Sequence, residues 1–298
     1  MDVKLREEPE AEVQSSEIRH KSNSKLISYW KVNWWKHLLQ VALCGLYAIP
    51  FYVIIVMSFK PITDRSPRLS LPNTLYLENY IGVFQNGMGR AILNTVIVTI
   101  SVVLIEVVLG CMAAYPLARH KCKKNTIISN IFLGVMMIPG LSVLVGVYSL
   151  LAHIGGINTY WGLVMVCVGF GLPTSIFLYQ NFISSIPKEL DEAAYIDGAG
   201  TFRTFWNIIL PQLKPVTVTV VILTGVGIWN EYMSSLYILQ KSDMFTVTLK
   251  INSYFSAAKQ DFGGAAAAAI VGMLPVIIMY LFLQKYFIKG AVDSAVKG

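Results

Sequence analysis

The sequence predicts an all-α membrane protein with six transmembrane helices and a short helical elbow between the fourth and the fifth. Three observations carry this. Of 298 residues, 55% are hydrophobic and 14% are charged, with a mean hydropathy of +0.57, whereas soluble domains carry about 25% charged residues. Six stretches, 38–58, 91–118, 127–151, 160–183, 216–239 and 265–288, are long and apolar, and about 20 residues at ~1.5 Å each cross ~30 Å of hydrocarbon. Between the fourth and fifth lies a polar, glycine-hinged insertion, 185–215.

Orientation follows from the 24 Lys and Arg. With the N-terminus taken as cytoplasmic, 17 fall inside: 7 in the N-terminal tail, 4 at 119–126, 3 in the 185–215 loop and 3 from Lys285 onward. Outside lie 4 at 60–90 and 3 at 240–264. Positive residues concentrate on the cytoplasmic side, so both termini and the elbow are expected there. The net charge of +7 then reflects topology and contact with an anionic lipid bilayer, and calls for no nucleic acid. Cys44, Cys111, Cys122 and Cys167 show no paired spacing and three lie in apolar spans, which argues against a disulfide framework or a metal site.

Residues 1–37 read as a cytoplasmic tail followed by an interfacial segment. The tail is polar, with Glu7, Glu8, Glu10 and Glu12, and Trp30 and Trp34 interleaved with Lys31 and Lys36 have the composition of a membrane-interface belt. Residues 38–288 form the transmembrane domain, and 289–298 a C-terminal cytoplasmic tail. The first span tolerates Pro50 because neighbouring helices can satisfy the freed carbonyl. Leu75, Leu77, Tyr80, Ile81 and Phe84 suggest a short interfacial helix before span two. In span two, Glu106 sits mid-membrane, where a carboxylate costs about 2.5–3.5 kcal/mol unless it faces protein or water. It is either an interhelix hydrogen bond or part of a solute path. Pro139–Gly140 in span three and Gly169, Gly171 and Pro173 in span four serve either close helix contact or a break in the backbone ladder.

In the elbow, Pro187 suits the first turn of a short helix, Glu189 and Asp191 favour its positive end, and Gly198 can take the left-handed conformation that stops it. A second helix capped by Thr201 would place Phe202, Phe205, Trp206, Ile209 and Leu210 on one stripe, ended or bent by Pro211 and Pro215. Glu192, Ala193 and Ala194 on the first arm are left free to meet another surface.

The pattern Glu192-Ala193-Ala194, Gly198, then Ile208, Leu210 and Pro211 is E-A-A-x3-G-x9-I-x-L-P. It resembles the cytoplasmic coupling loop of the membrane-spanning subunits of ATP-binding-cassette (ABC) importers, and the carbohydrate importers most closely. The resemblance implies a type I ABC importer permease fold, with Glu192, Ala193, Ala194, Asp197, Gly198, Ile208, Leu210 and Pro211 coupling to an ATPase. It implies as partners a second permease subunit forming a heterodimer, two ABC ATPase subunits and an extracytoplasmic solute-binding protein. ATP and Mg would be bound by the ATPases, and the location would be the bacterial cytoplasmic membrane.

Beyond the elbow, Trp229, Asn230, Glu231 and Tyr232 lie in the outer part of span five. An amide, a carboxylate and two aromatics suit a sugar, which offers hydroxyls at its edges and C–H groups on its faces. An interhelix polar clasp with an aromatic belt is the other reading. In the loop 240–264, Tyr254, Phe255, Gln260 and Asp261 resemble the family's loop toward the binding protein, against which stands an ordinary exposed loop. Ala265 to Ala269 open span six with small residues that permit close backbone approach.

No G-x-x-x-x-G-K-[ST], H-E-x-x-H or G-x-S-x-G occurs, so the chain lacks a P-loop and common hydrolase signatures. It is expected to be a transport subunit, with ATP hydrolysis left to a partner. The solute is expected to be a sugar or oligosaccharide. A non-sugar importer stays open, as does an ion-coupled secondary transporter, although repeated halves and further mid-depth ionisable groups are not evident.

Overall fold

The computed structural model describes residues 34–255 and 261–295, with side chains to 282. The predicted tail and interfacial belt before Trp34, and Gln260 of the outer loop, lie outside the described residues. Four helices are long and apolar enough to cross a membrane unaided. These are α1 (Trp34–Ser58), α3 (Met88–Arg119), α6 (Tyr160–Ser185) and α12 (Phe262–Ala295). Among the described residues two bent pairs raise the number to as many as six, where each pair counts as one broken span: α4 (Lys123–Met136) with α5 (Gly140–His153) at 99°, and α8 (Thr201–Gln212) with α9 (Lys214–Trp229) at 72°.

Between these lie α2 (Glu78–Gln85), the interfacial helix expected before span two, and α7 (Glu189–Ile196), the first elbow arm. Two more short helices, α10 (Met233–Ile238) and α11 (Val247–Asn252), lie at the end opposite the elbow. The fifth span differs from expectation, since the helix stops at Trp229 and resumes only at Met233. The last helix also runs on to Ala295, with no separate segment beginning at 289.

The two ambiguous Pro/Gly sites resolve oppositely. Pro139 takes an extended backbone (ψ 120°) and breaks span three. Pro173 is passed without a break because α6 is packed along its length against α3, so the freed carbonyl sits in protein.

Helix α3 is the centre of the fold, packed along α6 and α9. Near its middle, Glu106 is 1% exposed. Its Oε2 accepts hydrogen bonds from Ser175 Oγ of α6 at 2.5 Å and Thr224 Oγ1 of α9 at 2.8 Å. Of the two sequence readings, the geometry takes the interhelix bond, because a side chain enclosed by three helices lines no path. Gly171 makes room for it, since a Cβ there would fall on the carboxylate. Near the elbow end, a core of Ala114, Tyr115, Tyr179, Ile183, Phe205 and Ile209 joins α3, α6 and α8.

Opposite the elbow, polar side chains of α3 hold the loop before α11. Asn94 Nδ2 donates to the carbonyls of Asp243 and Phe245 at 3.1 and 3.0 Å, its Oδ1 accepts from Tyr160, and Thr95 Oγ1 accepts from the Val247 amide at 2.9 Å. Lys60, 2% exposed, donates to Ser66 Oγ, the Pro67 carbonyl and Ser70 Oγ within 3.1 Å, which fills its three donors and closes the loop after α1. Ala265 to Ala268 of α12 are buried against α2 and α9. In contrast, α1 and α4 are exposed along almost all of their length.

Gly171→Ala is expected to destabilise the fold by about 1–3 kcal/mol, the usual cost of overpacking. Gly169→Ala, whose added methyl meets nothing within 4 Å, should leave the midpoint of thermal unfolding in detergent unchanged. Equal midpoints for the two variants would contradict the Glu106 clasp.

Candidate coupling elbow and solute path

The elbow begins where α6 ends. Pro187 lies just ahead of the helix and not in its first turn, and Lys188 is the cap, with its carbonyl accepting from the amides of Asp191 and Glu192. Glu189, Asp191 and Glu192 occupy the first turn, where carboxylates meet the positive end of the helix dipole. The last turn closes on Gly198 at φ +77°. The Ala199 amide donates to Ala194 O and the Gly198 amide to Tyr195 O, the double bond pattern of a Schellman stop. Gly198 is therefore the bend that the sequence predicts.

The inner side of α7 is bonded to the body. Asp191 Oδ2 lies 2.8 Å from Arg119 Nη2, and its Oδ1 accepts from Tyr115 Oη at 2.6 Å. Arg119 Nη1 also donates to the Ile186 carbonyl at 2.9 Å. The side chains of Arg119 and Asp191 are only 7% and 20% exposed, so the pair is screened little by salt. Ala194 is 3% exposed: it packs inward and is not free to meet a partner, contrary to expectation. Glu192, Ala193, Asp197 and Gly198 face out.

The second arm also departs from its predicted pattern. Gly200, in extended conformation, precedes the helix, and Thr201 is its first residue and not its cap. Phe205–Ile209 form a π turn, whose i→i+5 bonds add residues to a turn and rotate the stripe. Phe205 and Ile209 are buried, while Phe202 stays 70% and Trp206 40% exposed. Ile208 and Leu210 are half-buried against the core of α3 and α6, and Pro211 is exposed. The motif is thus divided. Ala194, Ile208 and Leu210 attach the elbow, and Glu192, Ala193, Asp197 and Gly198 present it.

The predicted path residues do not form one cluster. Trp229 is 8% exposed and its Nε1 donates to Gly272 O of α12 at 3.0 Å, which is a clasp between α9 and α12. Glu231 accepts from the amides of Ser234 and Ser235 at 2.7 and 2.9 Å and from Ser235 Oγ at 2.7 Å, so its carboxylate caps α10. Tyr232 packs on the core between α3 and α6, and Asn230 is exposed with its Nδ2 bonded back to Val226 O.

In the outer loop, Tyr254 is 9% exposed, and burial pushes its hydroxyl pKa up. Asp261 caps α12 through the Gly264 amide at 2.8 Å. Phe255 alone of the described members is exposed, edge-on to Phe262 at 5.9 Å.

Residues 106–292, from the Glu106 clasp through the elbow into the last helix, match the family described as "Binding-protein-dependent transport system inner membrane component". The chain belongs to this family of transport permeases. A "Melibiose/raffinose/stachyose import permease" of Bacillus subtilis (strain 168) is 36% identical to the permease, over 88% of this chain and 95% of its own. A "Probable starch degradation products transport system permease" of Thermoanaerobacterium thermosulfurigenes is 38% identical, covering 90% and 99%. Among solved structures, a chain of a bacterial ABC transporter involved in import of the acidic polysaccharide alginate superposes with a TM-score of 0.70, at 20% identity over 86% of this chain and 97% of that one. At that identity the likeness is one of fold, and it is the expected permease fold.

Sequence reasoning missed two sets of residues in the permease. Tyr195 and Ile196 are 81% and 83% exposed, and with Phe202 they make the elbow's outer face apolar. The signal was available, since an adjacent Tyr-Ile pair ahead of Asp-Gly in a polar loop has no interior to enter. The sequence marks Asp191 only as a dipole partner and Arg119 only as one of four cations at 119–126. Their pairing across 72 residues of sequence leaves no local trace.

Arg119→Met should leave Asp191 half-buried and unpaired and destabilise the elbow by about 3–5 kcal/mol. Limited proteolysis between 185 and 215 reads this directly, and the expected outcome is cleavage in Arg119→Met under conditions where the wild type resists.

Proposed function

We propose that the permease is one of two membrane subunits of an ATP-driven, binding-protein-dependent importer for sugars or oligosaccharides. Its partners are a second, similar permease subunit, two ABC ATPase subunits that hold ATP and Mg, and an extracytoplasmic solute-binding protein. The Lys and Arg distribution supports an orientation with both termini and the elbow in the cytoplasm of a bacterial cell membrane. The names of the relatives support saccharides as solutes, since those names specify melibiose, raffinose and stachyose or starch degradation products.

The observation that carries the proposal is the two-sidedness of the elbow. Its inner side is bonded to α3 through Asp191, Arg119 and Tyr115. Its outer side offers exposed carboxylates, Glu192 and Asp197, beside exposed Ala193, Tyr195, Ile196 and Phe202. Such a surface suits a cleft with a cation at its base and apolar walls. Small Ala193 allows close approach, Glu192 forms the charged contact and Gly198 fixes the angle between the arms. When ATP closes the ATPase pair, the elbow is carried with it, and the ion pair passes that displacement to α3. The Glu106 clasp then carries it to α6 and α9. ATP moves the equilibrium between inward-open and outward-open states only as far as it binds them differently, so the elbow stays seated through both.

For Glu192→Ala, the expected loss is about 2–5 kcal/mol of association with the ATPase, the cost of stranding a buried partner cation. Copurification of the ATPase through a tag on the permease measures it, and undiminished recovery would count against the docking role. The solute class is tested on the assembled transporter by stimulation of its ATPase with the cognate binding protein across a panel of saccharides and amino acids. Stimulation by saccharides is expected.

A further inference from the structure

A cleft of about 400 Å³ opens between α4 and α6 at the elbow end, beside the end of α3, within the size range of small-molecule sites. Its wall is unusual for membrane-spanning helices. The amides of Asn130 and Asn181 and the hydroxyl of Ser184 line it, all on exposed residues. Behind them, Ser129 Oγ and the Gln180 side-chain amide are bonded to each other at 3.1–3.2 Å. The rings of Phe132 and Phe177, with aliphatic Leu117, Leu133 and Ile176, form the apolar part of the lining.

Asn130 and Asn181 bond to no other described residue through their side chains. An amide left without a partner in an apolar setting costs several kcal/mol, so this wall favours an occupant that hydrogen-bonds. An acyl chain has nothing to offer these amides. Among the described residues no carboxylate lines the cleft, and its only charge-bearing side chains, His120 and Lys121, sit past the end of α3 at its mouth. The wall therefore selects neither a metal ion nor a cationic solute. Neutral amides and hydroxyls beside two aromatic rings suit a polyhydroxylated ring, whose edges donate and accept hydrogen bonds and whose faces carry C–H groups.

The same mouth adjoins the elbow, because His120 also lines the smaller cleft between α3 and α7. We infer that the α4–α6 cleft is an inner subsite for the transported saccharide, occupied as it leaves toward the elbow side, with Asn130 and Asn181 as its hydrogen-bonding residues. The inference rests on the saccharide-importer reading. It adds a place within this chain, remote from Trp229–Tyr232, where solute is held.

The experiment uses the complete transporter with its binding protein in proteoliposomes. Wild type is first assayed for uptake across the saccharide panel, and a wild type that takes up none of them sinks the saccharide reading itself. With a transported saccharide in hand, the double variant Asn130→Leu and Asn181→Leu is expected to lower uptake about tenfold, the effect of losing one or two hydrogen bonds. The variant should recover the ATPase partner and the binding protein as fully as wild type, because neither residue lies on the elbow arms, and lost recovery would make the defect one of assembly and overturn the subsite. Uptake equal to wild type would overturn the inner subsite alone.

A second measurement does not depend on turnover. With the four native cysteines replaced by serine, Asn181→Cys should react with a membrane-impermeant methanethiosulfonate reagent, and the transported saccharide should slow that reaction while an amino acid does not. A thiol that is unreactive in the bilayer would mean lipid fills the cleft, and a reaction indifferent to saccharide would mean water alone does. Either result overturns the inference.

Discussion

The ion pair between Asp191 and Arg119 fixes the elbow to α3, and the proposed coupling depends on it. A loop that receives force from another protein is useful only if it does not fold back under that force. Here α7 is bonded to α3 at two points, through Asp191 to Arg119 and Tyr115, and Arg119 also holds the Ile186 carbonyl at the end of α6. The bonds are short and largely screened from water, so the joint is stiff where the outer surface is soft and apolar. The Schellman stop at Gly198 then holds the second arm at a defined angle to the first, and Phe205 of that arm packs on Tyr115 with ring centroids 5.2 Å apart.

Stiffness at the joint matters because α3 has partners along its whole length. Inside a bilayer polar side chains cannot turn to water, and Glu106, Asn94 and Thr95 of α3 bind neighbouring elements instead. Glu106 ties it to α6 and α9, and Asn94 and Thr95 tie its other end to the loop ahead of α11. A displacement entering at Arg119 therefore meets α6 and α9 at mid-depth before it reaches the opposite surface. Trp229 extends the set by bonding α9 to α12. The residues that looked in the sequence like a sugar site in span five are largely parts of this frame.

The six spans, the elbow, its glycine bend and the family were legible because each leaves a local mark: hydropathy over about 20 residues, a spaced motif, a glycine where φ is positive. The direction of side chains was less legible. Ala194 and Ala193 are chemically identical, and only the packing of α7 on the body buries one and exposes the other. The stripe from Phe202 to Leu210 fails because the π turn is a backbone event without a sequence signature. Glu231 reads equally well as a ligand group or a helix cap, since a carboxylate serves both and its choice depends on the chain breaking at Asn230. The inner cleft leaves no local mark because Asn130 and Asn181 lie 51 residues apart in two different spans, and only the packing of α4 on α6 brings them to one wall.

The 99° turn at Pro139 fixes where the surrounding lipid annulus must stop. The helical ladder is interrupted there, and the residues from Gly134 through Leu141 are exposed, Met137 by 85%. Amides and carbonyls released by such an interruption have no solvent in an oily phase, so fatty chains cannot wet this flank of the molecule. It belongs to water or to another polypeptide. A break in the backbone that no described residue covers thus marks one flank of the protein for water or for another chain.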